Sequence, residues 1–116
     1  MKITIEVYSL PIPEDKTIIY DDEQNLCLLN DKSVKTDVKR DMHTILDVLA
    51  GAPREMSMPV MDGGGCRIKI EKNGETRVYR YSNSYPKGFN KVWETIGGLP
   101  GFNKPSKELK KFLKNF

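Results

Sequence analysis

The stretch Cys66–Ile96, CRIKIEKNGETRVYRYSNSYPKGFNKVWETI, decides how the rest of the chain is read. Asn73-Gly74 signals a type I′ hairpin, because both central residues of that turn need positive φ and these two tolerate it. With the turn there, Lys72 falls opposite Glu75, Ile70 opposite Arg77, Ile68 opposite Tyr79 and Cys66 opposite Tyr81. Paired residues share a face. Cys66, Ile68, Ile70, Tyr79 and Tyr81 therefore form a core face, while Arg67, Lys69, Glu71, Thr76, Val78 and Arg80 form a wet, mainly basic one. A slip of one residue would bury the charges, so the pattern defends this register.

Downstream of the hairpin, Pro86 suits the first turn of a helix. Phe89, Val92, Trp93 and Ile96 follow at helical spacing and make one apolar stripe. The simplest packing lays this stripe over Ile68, Ile70 and Tyr79. Gly97-Gly98 is expected to end the helix by entering the left-handed region. Beyond Leu99-Pro100-Gly101-Phe102, a short C-terminal helix is expected from Pro105 and Ser106, with Leu109, Phe112, Leu113 and Phe116 on one stripe. Lys107, Lys110, Lys111 and Lys114 cover its other faces.

Upstream, Lys2–Tyr8 alternates as a half-buried strand, with Ile3, Ile5 and Val7 inward. Leu10-Pro11-Ile12-Pro13 is expected to break it, and Glu14–Lys16 to continue the loop. Thr17–Tyr20 and Leu26–Leu29 read as a second hairpin whose tip, Asp21-Asp22-Glu23-Gln24-Asn25, is an acidic, solvated turn. A helix is expected from Thr36 as N-cap, carrying Val38, Met42, Ile45, Leu46 and Leu49 inward and stopping at Gly51 and Pro53. The expected fold is α+β: an antiparallel sheet of about five strands, the 36–50 and 87–96 helices on one face, and the short C-terminal helix closing it.

The irregular stretch is 52–65, APREMSMPVMDGGG, with three methionines, two prolines and three consecutive glycines. Long loops in compact domains are commonly functional, and methionine makes adaptable apolar contacts. Asp62-Gly63-Gly64-Gly65 is no phosphate cradle, since it lacks the Gly-Lys-Ser/Thr ending and leads into a strand. Arg54, Met56, Met58, Met61 and Asp62 are candidate partner contacts, together with Arg67, Lys69 and Arg80 of the neighbouring basic face.

At 116 residues, 38% hydrophobic and 30% charged, the chain suits one soluble domain spanning 1–116. No apolar run is long enough for a signal peptide or a membrane span, which points to the cytoplasm or to delivery without a cleaved signal. Cys27 and Cys66 read as buried free thiols. His43, the sole histidine, lies off the apolar stripe beside Asp47; a metal site needs several converging ligands. Neither metal nor cofactor is expected, and no Rossmann, Walker or nucleophile-elbow pattern occurs. Residues 1–62 carry 7 Lys/Arg against 12 Asp/Glu, and residues 63–116 carry 12 against 4, so an overall +3 hides a strong polarity. Such polarity suits an anionic partner, or attraction between the two halves of one domain.

A non-catalytic protein-binding module fits this pattern. The order of strand, hairpin, helix, long loop ending in Asp62, hairpin at Asn73-Gly74, Pro86 and the Phe89/Val92/Trp93/Ile96 stripe resembles small bacterial inhibitor and immunity proteins, emfourin-type protease inhibitors among them. The resemblance covers residues 1–98 in arrangement and spacing. It implies a bacterial protein that neutralises a cognate toxin or enzyme by occlusion. The alternative is nucleic-acid binding through the basic sheet face of Arg67, Lys69 and Arg80 with help from Lys107–Lys114, against which stands the lack of an aromatic on that face for bases to stack on.

Overall fold

The computed structural model describes the backbone of residues 1–9, 12–59 and 64–102, and their side chains except at 9 and 12–15. Within these residues the chain runs β1 (Lys2–Ser9), β2 (Ile12–Asp21), β3 (Leu26–Leu29), β4 (Lys32–Ser33), α1 (Val38–Leu49), β5 (Glu55–Ser57), β6 (Gly64–Lys72), β7 (Glu75–Ser82) and α2 (Asn90–Gly97). The expected C-terminal helix lies outside the described residues.

The hairpin forms in the register its turn dictates: Lys72 pairs with Glu75, Ile68 with Tyr79 and Cys66 with Tyr81. Asn73 and Gly74 both take positive φ, 53° and 78°. The strand β1 lies antiparallel to β6, setting Ile3 beside Ile70, Ile5 beside Ile68 and Val7 beside Cys66. On its other side β1 pairs with β2, and the apolar row continues through Ile18, Tyr20, Cys27 and Leu29. One face of the sheet is thereby largely apolar, apart from the buried Lys16 beside Val7 and from Lys72, Glu75 and Arg77 towards the hairpin tip, and α1 and α2 bury their stripes on it. Val38, Met42, Ile45 and Leu49 come from α1, and Val92 and Ile96 from α2.

The sheet is larger than expected, and it is mixed. Seven strands run in the order β4-β3-β2-β1-β6-β7-β5, all neighbours antiparallel except β5, which lies parallel to β7. The two additional strands are the edges, each three residues or fewer. Short edge strands limit pairing with other chains. β5 forms inside the stretch read as a loop, with Pro53 and Pro59 on either side of it, and it contains no apolar alternation that would announce it.

Four local expectations are corrected. β2 begins at Ile12, so Pro13 and Glu14–Lys16 belong to a strand. The register between β1 and β2 shifts between Val7 and Ser9; proline is tolerated near such irregularities. α1 is capped by Asp37, whose carboxylate accepts from the Arg40 N–H at 3.2 Å, rather than by Thr36. The Thr36 hydroxyl instead donates to Asp41. α2 ends without a left-handed glycine: Gly98 has φ −81°, and its N–H donates to the Glu94 carbonyl while the Leu99 N–H donates to Ile96. Finally, α2 is centred on the Tyr81 end of the hairpin. Phe89 stacks on Tyr85 with ring centroids 5.0 Å apart and meets the edge of Tyr81 at 5.3 Å, and Trp93 closes the cluster at 5.6 Å from both Tyr85 and Phe89. Such aromatic pairs are worth about 0.5–1.5 kcal/mol each beyond their burial.

A carboxylate is buried against the core. Asp41, on the inner side of α1, is buried and accepts from the Tyr20 hydroxyl at 3.1 Å and from Thr36. Burial without such donors would be costly.

Candidate functional site

The sheet face opposite the helices is built by the outward residues of the same strands. Across its middle, pairing sets Thr17, Glu6, Arg67, Arg80 and Glu55 in one row. The two arginines stand directly opposite each other, an arrangement that repels unless it is compensated. Compensation comes from both flanks. Arg67 Nη1 lies 3.4 Å from Glu6 Oε1, and Arg80 Nη1 lies 3.6 Å from Glu55 Oε1. In the neighbouring rows Lys69 Nζ lies 3.4 Å from Glu71. On the face expected to be basic Arg67, Lys69 and Arg80 are therefore paired charges, and what compensates the two arginines comes from β1 and β5.

A second row runs Leu28, Ile19, Thr4, Lys69 and Val78. Ile19, Leu28 and Val78 are half-buried, and Thr4 sits at the floor of the row, buried between longer neighbours. Tyr8 stands on the same face, 43% exposed, with its hydroxyl held above its ordinary pKa mainly by partial burial. The expectation that this face carries no aromatic is thus corrected: alternation along β1 places Tyr8 outward, and the β1–β6 pairing brings it beside Gly65.

The candidate contacts divide between two faces. Arg67, Lys69 and Arg80 share the open face. Arg54 and Met56 belong to the helix side. The Arg54 guanidinium lies 6.0 Å from the centroid of the Tyr79 ring, and Met56 pairs with Tyr81 and packs against the core. Met58 is 52% exposed just past β5. Met61 and Asp62 lie outside the described residues. The 54–58 segment is no free loop. The Arg80 N–H donates to the Arg54 carbonyl at 2.7 Å, the Met58 N–H to Ser82 at 3.0 Å, and the Tyr81 hydroxyl to the Pro53 carbonyl at 2.7 Å.

Glu6, Glu55, Glu71 and Tyr8 complete the face, and sequence reading did not select them. Outward alternation in β1 was the available signal for Glu6 and Tyr8. Their distance from Arg67 and Gly65 depends on a strand pairing that no local pattern encodes.

Elsewhere, Cys27 and Cys66 are buried free thiols, as expected. Burial pushes Cys66 upward, and burial followed by the nearby Asp41 charge pushes Cys27 up to about 11. Both are consequently protonated and poorly nucleophilic at neutral pH. His43 is exposed, its Nε2 3.3 Å from Asp47. Among the described residues no group of three or more metal-ligating side chains converges, and no helix is long and apolar enough to cross a membrane.

No protein-family model, curated protein or solved structure gives a significant match to this chain. The likeness to inhibitor and immunity proteins rests on arrangement alone.

Proposed function

We propose that this chain is a non-catalytic protein-binding module, an inhibitor or immunity protein that neutralises a cognate toxin or enzyme by covering it with the open sheet face. The observation that carries this reading is the Glu6–Arg67–Arg80–Glu55 row. Two arginines flanked by carboxylates, with half-buried Ile19, Leu28 and Val78 on one side and an exposed Tyr8 on the other, combine the features that dominate protein contacts: Arg and Tyr anchors alongside apolar surface. Interleaved carboxylates disfavour the nucleic-acid alternative, because a phosphate backbone laid along this face would meet Glu6, Glu55 and Glu71 as often as the cations.

The test is affinity capture from the native host with nuclease present, followed by reconstitution of the captured protein with the purified chain. A single stoichiometric partner is expected. Its affinity should fall by about 2–4 kcal/mol when Arg67, Lys69 and Arg80 are replaced by alanine, the scale of truncated interface anchors. Alanine is preferable to glutamate, which would stand against Glu6, Glu55 and Glu71. Undiminished binding by the alanine variant would remove the sheet face from the contact. Recovery of nucleic acid alone would reject the protein-binding reading.

A further inference from the structure

The helix side of the sheet is not covered along its whole length. Hairpin β6–β7 runs past the end of α1, and an open groove of about 1020 Å³ lies between the last turn of that helix and the tip half of the hairpin. Its floor is apolar, with Ile70, Leu46 and the buried ring of Tyr79. Its walls are cationic: Arg54, Lys72 and Arg77 line it, with Glu75 as the one carboxylate side chain among the lining residues.

The state of these cations distinguishes the groove from the opposite face. Arg67, Lys69 and Arg80 each have a carboxylate within 3.6 Å. Arg54, Lys72 and Arg77 have none within ion-pair distance among the described residues. Three cations without an ion-pair partner among the described residues therefore line one groove, above an apolar floor. Clefts lined by one sign of charge focus the field and select oppositely charged partners.

We propose that this groove seats an acidic polypeptide segment of a partner protein, with carboxylates on Arg54, Lys72 and Arg77 and an apolar side chain on Ile70 and Leu46. A peptide matches both features, the apolar floor and the cationic walls. A polyphosphate chain gains nothing from the floor. Residues 103–116 carry five lysines and one glutamate, so charge also argues against that segment as the occupant. The inference is independent of the sheet-face reading, since the groove lies on the other side of the sheet.

The test uses the full chain as bait in a random-peptide display selection. The winning peptide is then titrated into isotope-labelled protein and followed by backbone NMR. Enriched peptides should carry several Asp or Glu around a bulky apolar residue, and shifts should centre on Leu46, Arg54, Ile70, Lys72 and Arg77. Affinity should drop about tenfold in Arg77→Ala and in Arg54→Ala, as for loss of one interfacial charge contact, and it should fall as salt rises. Arg67→Ala and Arg80→Ala should leave it unchanged. No enrichment, enrichment of non-acidic peptides, or shifts centred elsewhere would overturn the proposal, and the titration of unmodified protein reads this without relying on any variant's folding. Equal competition by a short oligothymidylate at the same residues would assign the groove to nucleic acid and overturn it as well.

Discussion

The ring of Tyr8 occupies the space that a side chain on Gly65 would need: a Cβ there would stand 2.8 Å from Tyr8 Cε2 and 2.9 Å from the Tyr81 carbonyl oxygen. The ring is half-exposed and can swing aside, but the carbonyl is backbone in the adjoining strand. Gly65→Ala is therefore expected to destabilise the protein by about 1–3 kcal/mol, the usual range for overpacking. Denaturant titration measures it. Adding Tyr8→Ala should relieve only part of the loss, because the Tyr81 carbonyl remains; full recovery would show that the ring alone sets the constraint.

The buried carboxylate of Asp41 depends on its donors. Tyr20→Phe removes the hydroxyl at 3.1 Å and leaves Thr36 as the remaining hydroxyl donor to Oδ2. A loss of about 1–3 kcal/mol is expected, the range for exposing a buried polar group to an apolar neighbour. Thr36→Val should add a similar loss, and the double variant should be non-additive because both donors serve one oxygen. Strict additivity would mean that the two bonds do not share a network.

The parts of the fold that local chemistry encodes were legible in the sequence. Asn73-Gly74 set the hairpin and its register, alternation set the inward face of β1, and helical spacing set the buried stripes of α1 and α2. What escaped is non-local. β5 is three residues with no pattern of its own, held by β7 and by the Tyr81 hydroxyl. The charge state of the open face depends on β1 and β5 lying beside β6 and β7, so Arg67 and Arg80 looked like free cations until Glu6 and Glu55 were in place. Asp41 was missed for the opposite reason: at its helical position it reads as one more surface carboxylate, and its donor Tyr20 is 21 residues away in sequence.

The raised thiol of Cys27 gives the stability a pH dependence whose sign is fixed. Burial, reinforced by the charge of Asp41 and opposed by the neighbouring Tyr20 hydroxyl, lifts the folded-state value from 9.0 to about 11. The folded protein thus holds this proton more tightly than the unfolded chain does. The associated stability is complete below pH 9.0 and is lost as pH rises towards 11, by up to about 1.4 kcal/mol per pH unit for each such group. Cys66, Tyr20, Tyr81 and Tyr85 are shifted the same way by burial and should steepen the alkaline limb. The melting temperature should fall over this window, less steeply in Cys27→Ala. Identical slopes in the two proteins would remove Cys27 from the account. At pH 8, a disulfide reagent should label both thiols only as fast as the protein opens.

The segment 54–58 offers the sharpest contrast between loop and strand. If β5 is a true edge strand, the Arg80 and Met58 amides, which donate to Arg54 and Ser82, should exchange slowly with solvent. The Tyr81 hydroxyl anchors the entry to that strand through the Pro53 carbonyl at 2.7 Å. Tyr81→Phe keeps the ring and its contact with Phe89 while removing this anchor. Global stability should fall by only about 0.5–1.5 kcal/mol, the net worth of one hydrogen bond. Protection at Arg80 and Met58 should fall by more than this in free energy, because β5 is a three-residue element that can open on its own. Amide hydrogen exchange resolved by residue separates the two effects. Equal losses at Arg80 and at the central β6 amide of Ile68 would show that β5 opens only with the whole sheet, and fast exchange at Met58 in the unmodified protein would return the segment to a loop.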